Sequence, residues 1–271
     1  MRKIITGFFI ILVSIIFTQS EHPYPPLNLV SIPTGGTMPR GSYTIEILLQ
    51  KEGGVLPKLA VGLTNHFTIG MSYGIKKMIG VDKPEVNRSK PEVQIKYRLF
   101  EETESRPAIV IGLDTQGKGD YRDSVKAIGG GIGVGRLEEV NRYNQKAWGL
   151  YFVMSKNWEF LGNFGAHLGL SKNSWENTDG DDDLDFFFGF DKEINRSFAF
   201  LIEYDAAMND NQEKYEWDEI SFGRGSGYLN AAFRWTMATN LLIEISFNDI
   251  NKSTKADYTN REIKIMYSEM F

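Results

Sequence analysis

The sequence predicts an all-β chain, a 12-stranded antiparallel transmembrane β-barrel, on three observations. Twelve segments alternate apolar and polar residues at period two, each close to the roughly 9–11 residues that a tilted membrane strand needs. The connections between them alternate short and long. The last segment, Asn260 to Phe271, ends flush on an aromatic residue, as expected where a final strand closes a cylinder against the first. The even strand number places both ends of the barrel on one side, the periplasmic side of a bacterial outer membrane.

The amino terminus reads as a secretory signal, residues 1–20. Met1-Arg2-Lys3 precedes an apolar run from Ile4 to Phe17, and Thr18-Gln19-Ser20 supplies small residues for cleavage. Residues 21–40 form an extension, periplasmic or plug-like, that begins with the stiff His22-Pro-Tyr-Pro-Pro26. The barrel occupies 41–271. Its segments are expected at 41–50, 55–64, 67–76, 91–99, 106–114, 146–154, 158–171, 183–192, 196–206, 226–237, 241–249 and 259–271. Short connections fall at Thr64–His66, Phe100–Ser105, Ser155–Asn157, Glu193–Asn195 and Ala238–Asn240. The others run 77–90, 115–145, 172–182, 207–225 and 250–258, with only Lys51–Gly54 short among them. Short periplasmic turns opposed to longer outer loops are the asymmetry of such barrels.

Composition limits the alternatives. No apolar run of 18 residues follows the amino terminus, which excludes helical spanning of the body. Cysteine is absent, so there is no disulfide framework and no thiolate zinc site. Setting aside Arg2 and Lys3 of the 30 basic residues leaves 28 against 35 acidic, a net charge of −7. No nucleic-acid partner is expected of an acidic exported chain.

Parity assigns faces. In segment four Val93, Ile95, Tyr97 and Leu99 point to lipid, while Glu92, Gln94, Lys96 and Arg98 point inward. In segment ten Leu229, Ala231, Phe233 and Trp235 face out, and Asn230, Ala232, Arg234 and Thr236 face in. Polar residues opposite apolar ones imply a polar lumen. Phe67, Trp158, Phe198, Trp235 and Phe271 gather at the periplasmic level, where rings favour a membrane interface. Glu269 breaks the pattern by sitting on the apolar parity, and is tolerable only near that interface.

Two resemblances add to this. The carboxy-terminal stretch resembles the signal by which bacterial barrels are handed to the barrel assembly machinery. Leu29-Val-Ser-Ile-Pro-Thr-Gly-Gly-Thr-Met-Pro-Arg-Gly-Ser-Tyr43 resembles the opening of YjbH-type outer-membrane barrels, which implies a link to exopolysaccharide. YjbH proteins proper are much longer, so the relation is to one barrel unit. The expected partners are outer-membrane lipid, lipopolysaccharide and a polysaccharide.

Three constellations bear on function. A three-residue turn at Glu193–Asn195 would set Phe190 opposite Phe198, Asp185 opposite Glu203 and Asp183 opposite Asp205. With Asp181 these carboxylates could hold Ca2+ or Mg2+ at the outer rim, or be neutralised by basic groups across the lumen or by water. No other cofactor is expected. A lumen ladder of Glu46, Lys96, Arg98, Arg234, Glu244 and Lys264, with Arg234 facing Glu244, would either tune solute selectivity or brace the wall. Small inward residues, among them Ala60, Gly62 and Gly70, leave room for water, for Leu27–Pro39 or for the 115–145 loop. The glycine run Gly129–Gly135 lies outside any strand–helix unit and does not read as a phosphate loop. Of His22, His66 and His167, none pairs with a lipid-facing Ser, so no enzyme is expected. The functional expectation is a passive pore or translocation component. The alternative is a non-conducting structural or surface-interaction barrel.

Overall fold

The computed structural model describes residues 26–127, 136–159, 161–211, 226–253 and 259–271. The signal segment, His22 and the Gly129–Gly135 run lie outside them. The strands are β1 (Ser42–Leu49), β2 (Val55–Gly62), β3 (Phe67–Ser72), β4 (Ile75–Lys76), β5 (Glu85–Val86), β6 (Glu92–Phe100), β7 (Ala108–Asp114), β8 (Lys118–Ala127), β9 (Arg136–Gln145), β10 (Gly149–Glu159), β11 (Asn163–Lys172), β12 (Asp185–Asn195), β13 (Phe198–Asp205), β14 (Tyr228–Ala238), β15 (Leu241–Asn248) and β16 (Asn260–Met270).

Twelve of these make a closed antiparallel ring in the order β1-β16-β15-β14-β13-β12-β11-β10-β7-β6-β3-β2, with β2 paired back to β1. The seam has Tyr43 opposite Glu269 and Ile47 opposite Ile265, and the Phe271 amide donates to the Gly41 carbonyl at 2.9 Å. Closure pairs the edge that β16 would otherwise leave open. The β4–β5 ribbon pairs with β2 at the outer rim, and β8–β9 form a separate hairpin beyond β7 and β10.

Burial is inverted relative to a water-soluble core. Thr68, Glu92, Lys96, Glu203, Arg234, Glu244 and Lys264 are buried, whereas Ile45, Leu59, Met71, Leu170, Phe233 and Ile245 are exposed. Apolar residues face out around the ring and polar residues face in, which is the design of a barrel solvated by lipid. Among the described residues no helix is long and apolar enough to cross a membrane, so any crossing is made by strands. Aromatic pairs line the periplasmic end: Tyr43 stacks on Phe271 with centroids 5.9 Å apart, and Phe198 on Trp235 at 5.8 Å. Glu269 sits at this level and accepts from the hydroxyls of Tyr43 and Tyr267.

Two turns differ from expectation. Ser155–Asn157 is strand, because β10 continues to Glu159 and turns around Gly162, whose φ is +92°; Trp158 therefore belongs to β10. Glu193–Asn195 is also strand, and the β12–β13 turn is the two residues Arg196–Ser197. The expected pairing of β12 with β13 is thus slipped by four residues. Phe190 faces Ile202, Glu203 faces Gly189, and Phe187 faces Asp205. An even slip leaves every side chain on its predicted face.

Candidate functional site

The lumen is occupied by the chain's own amino-terminal segment. Residues 26–40 enter from the periplasmic end, turn back and run into β1. The turn is closed by the Leu29 amide donating to Ile32 O at 2.9 Å and by a bridge between Asn28 and Pro33. Leu29, Val30 and Ile32 pack with Val110, Tyr151, Val153, Phe187, Leu201 and Ala232. This is a small apolar core inside a polar tube.

The polar wall holds the hairpin by its backbone. Glu203 on β13 accepts the amides of Val30, Ser31 and Ile32 at 2.9–3.1 Å, the Ser31 hydroxyl, and Asn230 Nδ2 at 2.8 Å. Lys264 on β16 donates to Val30 O at 2.9 Å and to Glu244 Oε1 at 2.9 Å. Arg234 on β14 donates to Leu29 O at 2.7 Å, and its Nε to Glu244 Oε2 at 2.9 Å. Lys96 on β6 donates to the carbonyls of Leu27, Thr34 (3.1 Å) and Gly36 (3.4 Å). Charge-assisted bonds of this kind are about twice as strong as neutral ones.

Small residues make the room. A Cβ at Gly62 would stand 1.9 Å from Pro39 O, and one at Gly189 would stand 2.4 Å from Leu29 Cδ2. The candidate occupant Leu27–Pro39 is therefore the segment beside Gly62. What remains beside it is small: cavities of about 60, 50 and 20 Å³ adjoin the hairpin. An outer vestibule of about 360 Å³ opens above, between the barrel rim and β8–β9.

The sequence-read ladder is present in its central rungs. Arg234, Glu244 and Lys264 form one buried network. Glu46 pairs with Lys58 at 3.4 Å, a partner not expected from the sequence. Arg98 lies at the periplasmic mouth on Asn65 O (2.8 Å) and Glu101 (3.3 Å). Arg234, Lys264 and Lys96 hold the hairpin, whereas Glu46 and Arg98 bond to residues outside it.

The acidic set is only partly together: Asp185 and Asp205 share a hydrogen bond between their carboxyls. Glu203 grips the hairpin. Asp181 accepts from the Asn211 amide at 3.2 Å, Asp185 from Met208 at 3.0 Å and Asp205 from Ala207 at 2.9 Å, while Asp183 is exposed. The register on which the cation site rested does not occur, and among the described residues no three His, Asp or Glu side chains gather to hold a metal ion.

A third group depends on β10 running on through Ser155 to Glu159. Ser155 Oγ lies 2.6 Å from His167 Nδ1, and His167 Nε2 lies 2.8 Å from Asp191 Oδ1. The residue types are those of a nucleophile relay, but the hydroxyl is covered. Gly35 N–H donates to Ser155 Oγ at 2.7 Å, and a Cβ on Gly35 would stand 2.9 Å from Ser155 Cβ. The trio contacts the hairpin and leaves no space for a substrate at the oxygen.

The outer loops are locked to one another. Arg142 on β9, wholly buried, donates to Asp179 Oδ2 at 2.6 Å, to Asp210 and to Asn144 O at 2.9 Å. Burial opposes its charge, but Asp210 and Asp179 outweigh that and hold the guanidinium above its ordinary value. Glu176 accepts from the amides of Tyr143 (2.8 Å) and Ala147 (2.7 Å), and burial pushes its carboxyl up.

No family model and no curated protein matches the chain, and the YjbH resemblance of Leu29–Tyr43 gains no support from either comparison. Among solved structures the chain is similar to the KdgM porin, at 9% identity over 83% of this chain and 98% of that chain, with a TM-score of 0.46. It is similar to the KdgM porin in complex with disordered oligogalacturonate, at 9% identity over the same shares, with a TM-score of 0.48. It is also similar to the NanC porin, at 11% identity over 84% of this chain and 99% of that chain, with a TM-score of 0.41.

Proposed function

We propose that the chain is a bacterial outer-membrane barrel acting as a passive conduit whose lumen is closed by the 26–40 hairpin and opens when that hairpin leaves. The observation that carries this is how the lumen charges are satisfied. Lys96, Arg234, Lys264 and Glu203 all bond to the backbone of a peptide tethered only at its β1 end within the described residues. A barrel built solely as a scaffold could fill its interior with wall side chains. Here the wall is polar and would hydrate once the peptide moved. The resemblance of Leu29–Tyr43 to YjbH-type barrels points to an exported polysaccharide as the solute.

The test is conductance in planar bilayers of the mature chain and of a variant lacking residues 26–36. The mature chain is expected to be closed with rare openings, and the deletion to give a steady current. A folded, heat-modifiable deletion variant that carries no current would favour the second reading, a closed surface-interaction barrel. That reading is supported by the locked outer loops around Arg142.

A further inference from the structure

Basic and apolar residues gather on one outer loop. Residues 74–91, which carry the β4–β5 ribbon, hold five basic residues against Asp82 and Glu85, a net charge of +3. Residues 172–184 hold five acidic residues against Lys172, a net charge of −4. The tip of the ribbon is apolar and open: Ile79 is 59% exposed, Val81 is 103% exposed, and Met78 stands exposed beside them. None of the three lines the vestibule, which meets the ribbon at Lys76, Lys77, Glu85 and Asn87. The ribbon is nevertheless fixed. The Ile79 amide donates to Gly53 O at 2.9 Å, and a Cβ on Gly53, whose φ is +70°, would stand 1.9 Å from Ile79 O. Only glycine lets the β1–β2 connection approach so closely. At the base Asn87 Nδ2 donates to Gly119 O at 2.9 Å, and the Tyr121 amide donates to Asn87 Oδ1 at 2.8 Å. Apolar side chains fixed in the open mark a surface that meets lipid or another molecule. Three of the five cations are already paired: Lys76 with Asp120 at 3.3 Å, Lys77 with Glu85 at 3.0 Å and Arg88 with Glu92 at 2.6 Å. Lys83 and Lys90 are exposed and, among the described residues, make no ion pair. Each precedes a proline, Pro84 and Pro91, that stiffens the backbone beside it. Lys51, on the adjoining connection, has Glu52 next to it and adds no net charge.

We propose that the β4–β5 ribbon docks on lipopolysaccharide of the outer leaflet, its Met78–Val81 tip entering the lipid interface while Lys83 and Lys90 take the phosphates of the headgroup. Position favours lipid. The ribbon pairs through Ile75 with Val55, at the outer end of the strand that carries the lipid-facing Leu59. Composition favours an anionic lipid. Apolar side chains flanked by lysines suit a segment lying in such a surface, with the lysine stems along the apolar layer and the ammonium groups on the phosphates. Charge complementarity supports the same partner, because the surplus of +3 on this loop stands out on a chain of net negative charge. The docking surface needs no open lumen, so it stands or falls separately from the conduit.

With no native cysteine in the chain, Val81→Cys places one thiol at the tip, and Asp183→Cys places one on the exposed acidic loop as a control. The test is the rate at which a polyethylene-glycol maleimide labels each mature variant in nanodiscs of three compositions. These are phosphatidylcholine alone, phosphatidylcholine with lipopolysaccharide, and phosphatidylcholine with dephosphorylated lipopolysaccharide. The dephosphorylated form keeps the core sugars and so corrects for steric shielding. Two lysines on an anionic lipid surface strengthen association roughly thirtyfold. Val81→Cys is therefore expected to label at least about tenfold slower with lipopolysaccharide than with the dephosphorylated form, and Asp183→Cys at similar rates with both. Adding Lys83→Glu and Lys90→Glu to Val81→Cys should restore fast labelling. These positions lie outside the ring, and heat-modifiability checks the fold of each variant. Equal rates with the two glycolipids, equal slowing at both thiols, or continued protection in the Lys83→Glu/Lys90→Glu variant would each overturn the proposal. So would protection in phosphatidylcholine alone that grows with protein density, which would assign the tip to contact between copies.

Discussion

At the scale of single residues, Glu203 holds the turn of the hairpin by its backbone. Its carboxylate takes three consecutive backbone amides, a concave set of donors that suits an anion. Glu203→Ala leaves those amides buried without an acceptor and is expected to weaken the hold by about 2–3 kcal/mol. The chain has no native cysteine, so a single Asn28→Cys reports the hairpin's position. Thiol labelling from the periplasmic side should be slow in the parent and at least tenfold faster with Glu203→Ala; equal rates would show that the carboxylate holds nothing. Glu203 also marks the limit of sequence reading. Its inward parity was legible from Phe200, Ile202 and Tyr204, and its burial follows from that. Its partner was not legible, because backbone amides from a segment 171–173 residues away leave no trace in side-chain pattern.

At the scale of elements, periodicity carried far more than turn chemistry did. All twelve wall strands were readable because each buries one face and wets the other in lipid. Turn positions failed where the sequence around them is polar on both parities. Ser155-Lys-Asn157 looked like a turn yet continues β10, and Glu193-Ile-Asn195 continues β12. Arg234 and Glu244 were paired correctly because β14 and β15 meet at Thr239–Asn240, close to the turn expected there. The outer loops follow a different rule, since their order comes from buried polar contacts. Glu176 joins the 173–184 loop to β9 and to the 146–148 connection that follows it, and is raised by burial. A carboxyl raised in the folded loop contributes most below its ordinary value of 4.5, and that contribution is lost as pH rises through the raised value. Amide exchange at Tyr143 and Ala147, corrected for intrinsic rates, should therefore show more opening at pH 7 than at pH 4. Glu176→Gln should flatten the difference; an unchanged pH profile in that variant would assign the effect elsewhere.

At the scale of the whole molecule, one solvent argument organises the chain. Outside the ring the solvent is hydrocarbon, so every wall backbone group must be paired around the circle and every outward side chain must be apolar. Inside, the solvent is replaced by a peptide whose carbonyls and amides answer the charges of the wall. This arrangement predicts a depth-dependent penalty that no water-soluble barrel would show. Phe233 sits midway along β14 and faces out; Val93 faces out at the outer end of β6. Phe233→Arg should cost about 2–4 kcal/mol when unfolding is measured in lipid vesicles, and Val93→Arg about 0–1 kcal/mol. In urea titrations the first variant's midpoint falls clearly below that of the second, with both far-UV spectra unchanged. Similar small costs at the two sites would mean that the exterior meets water rather than lipid. The inverted burial of Phe233, Ile245 and Leu170 against Lys264, Glu244 and Lys96 would then lose its explanation, because nothing but a bilayer rewards a chain for turning its apolar face outward on all twelve strands.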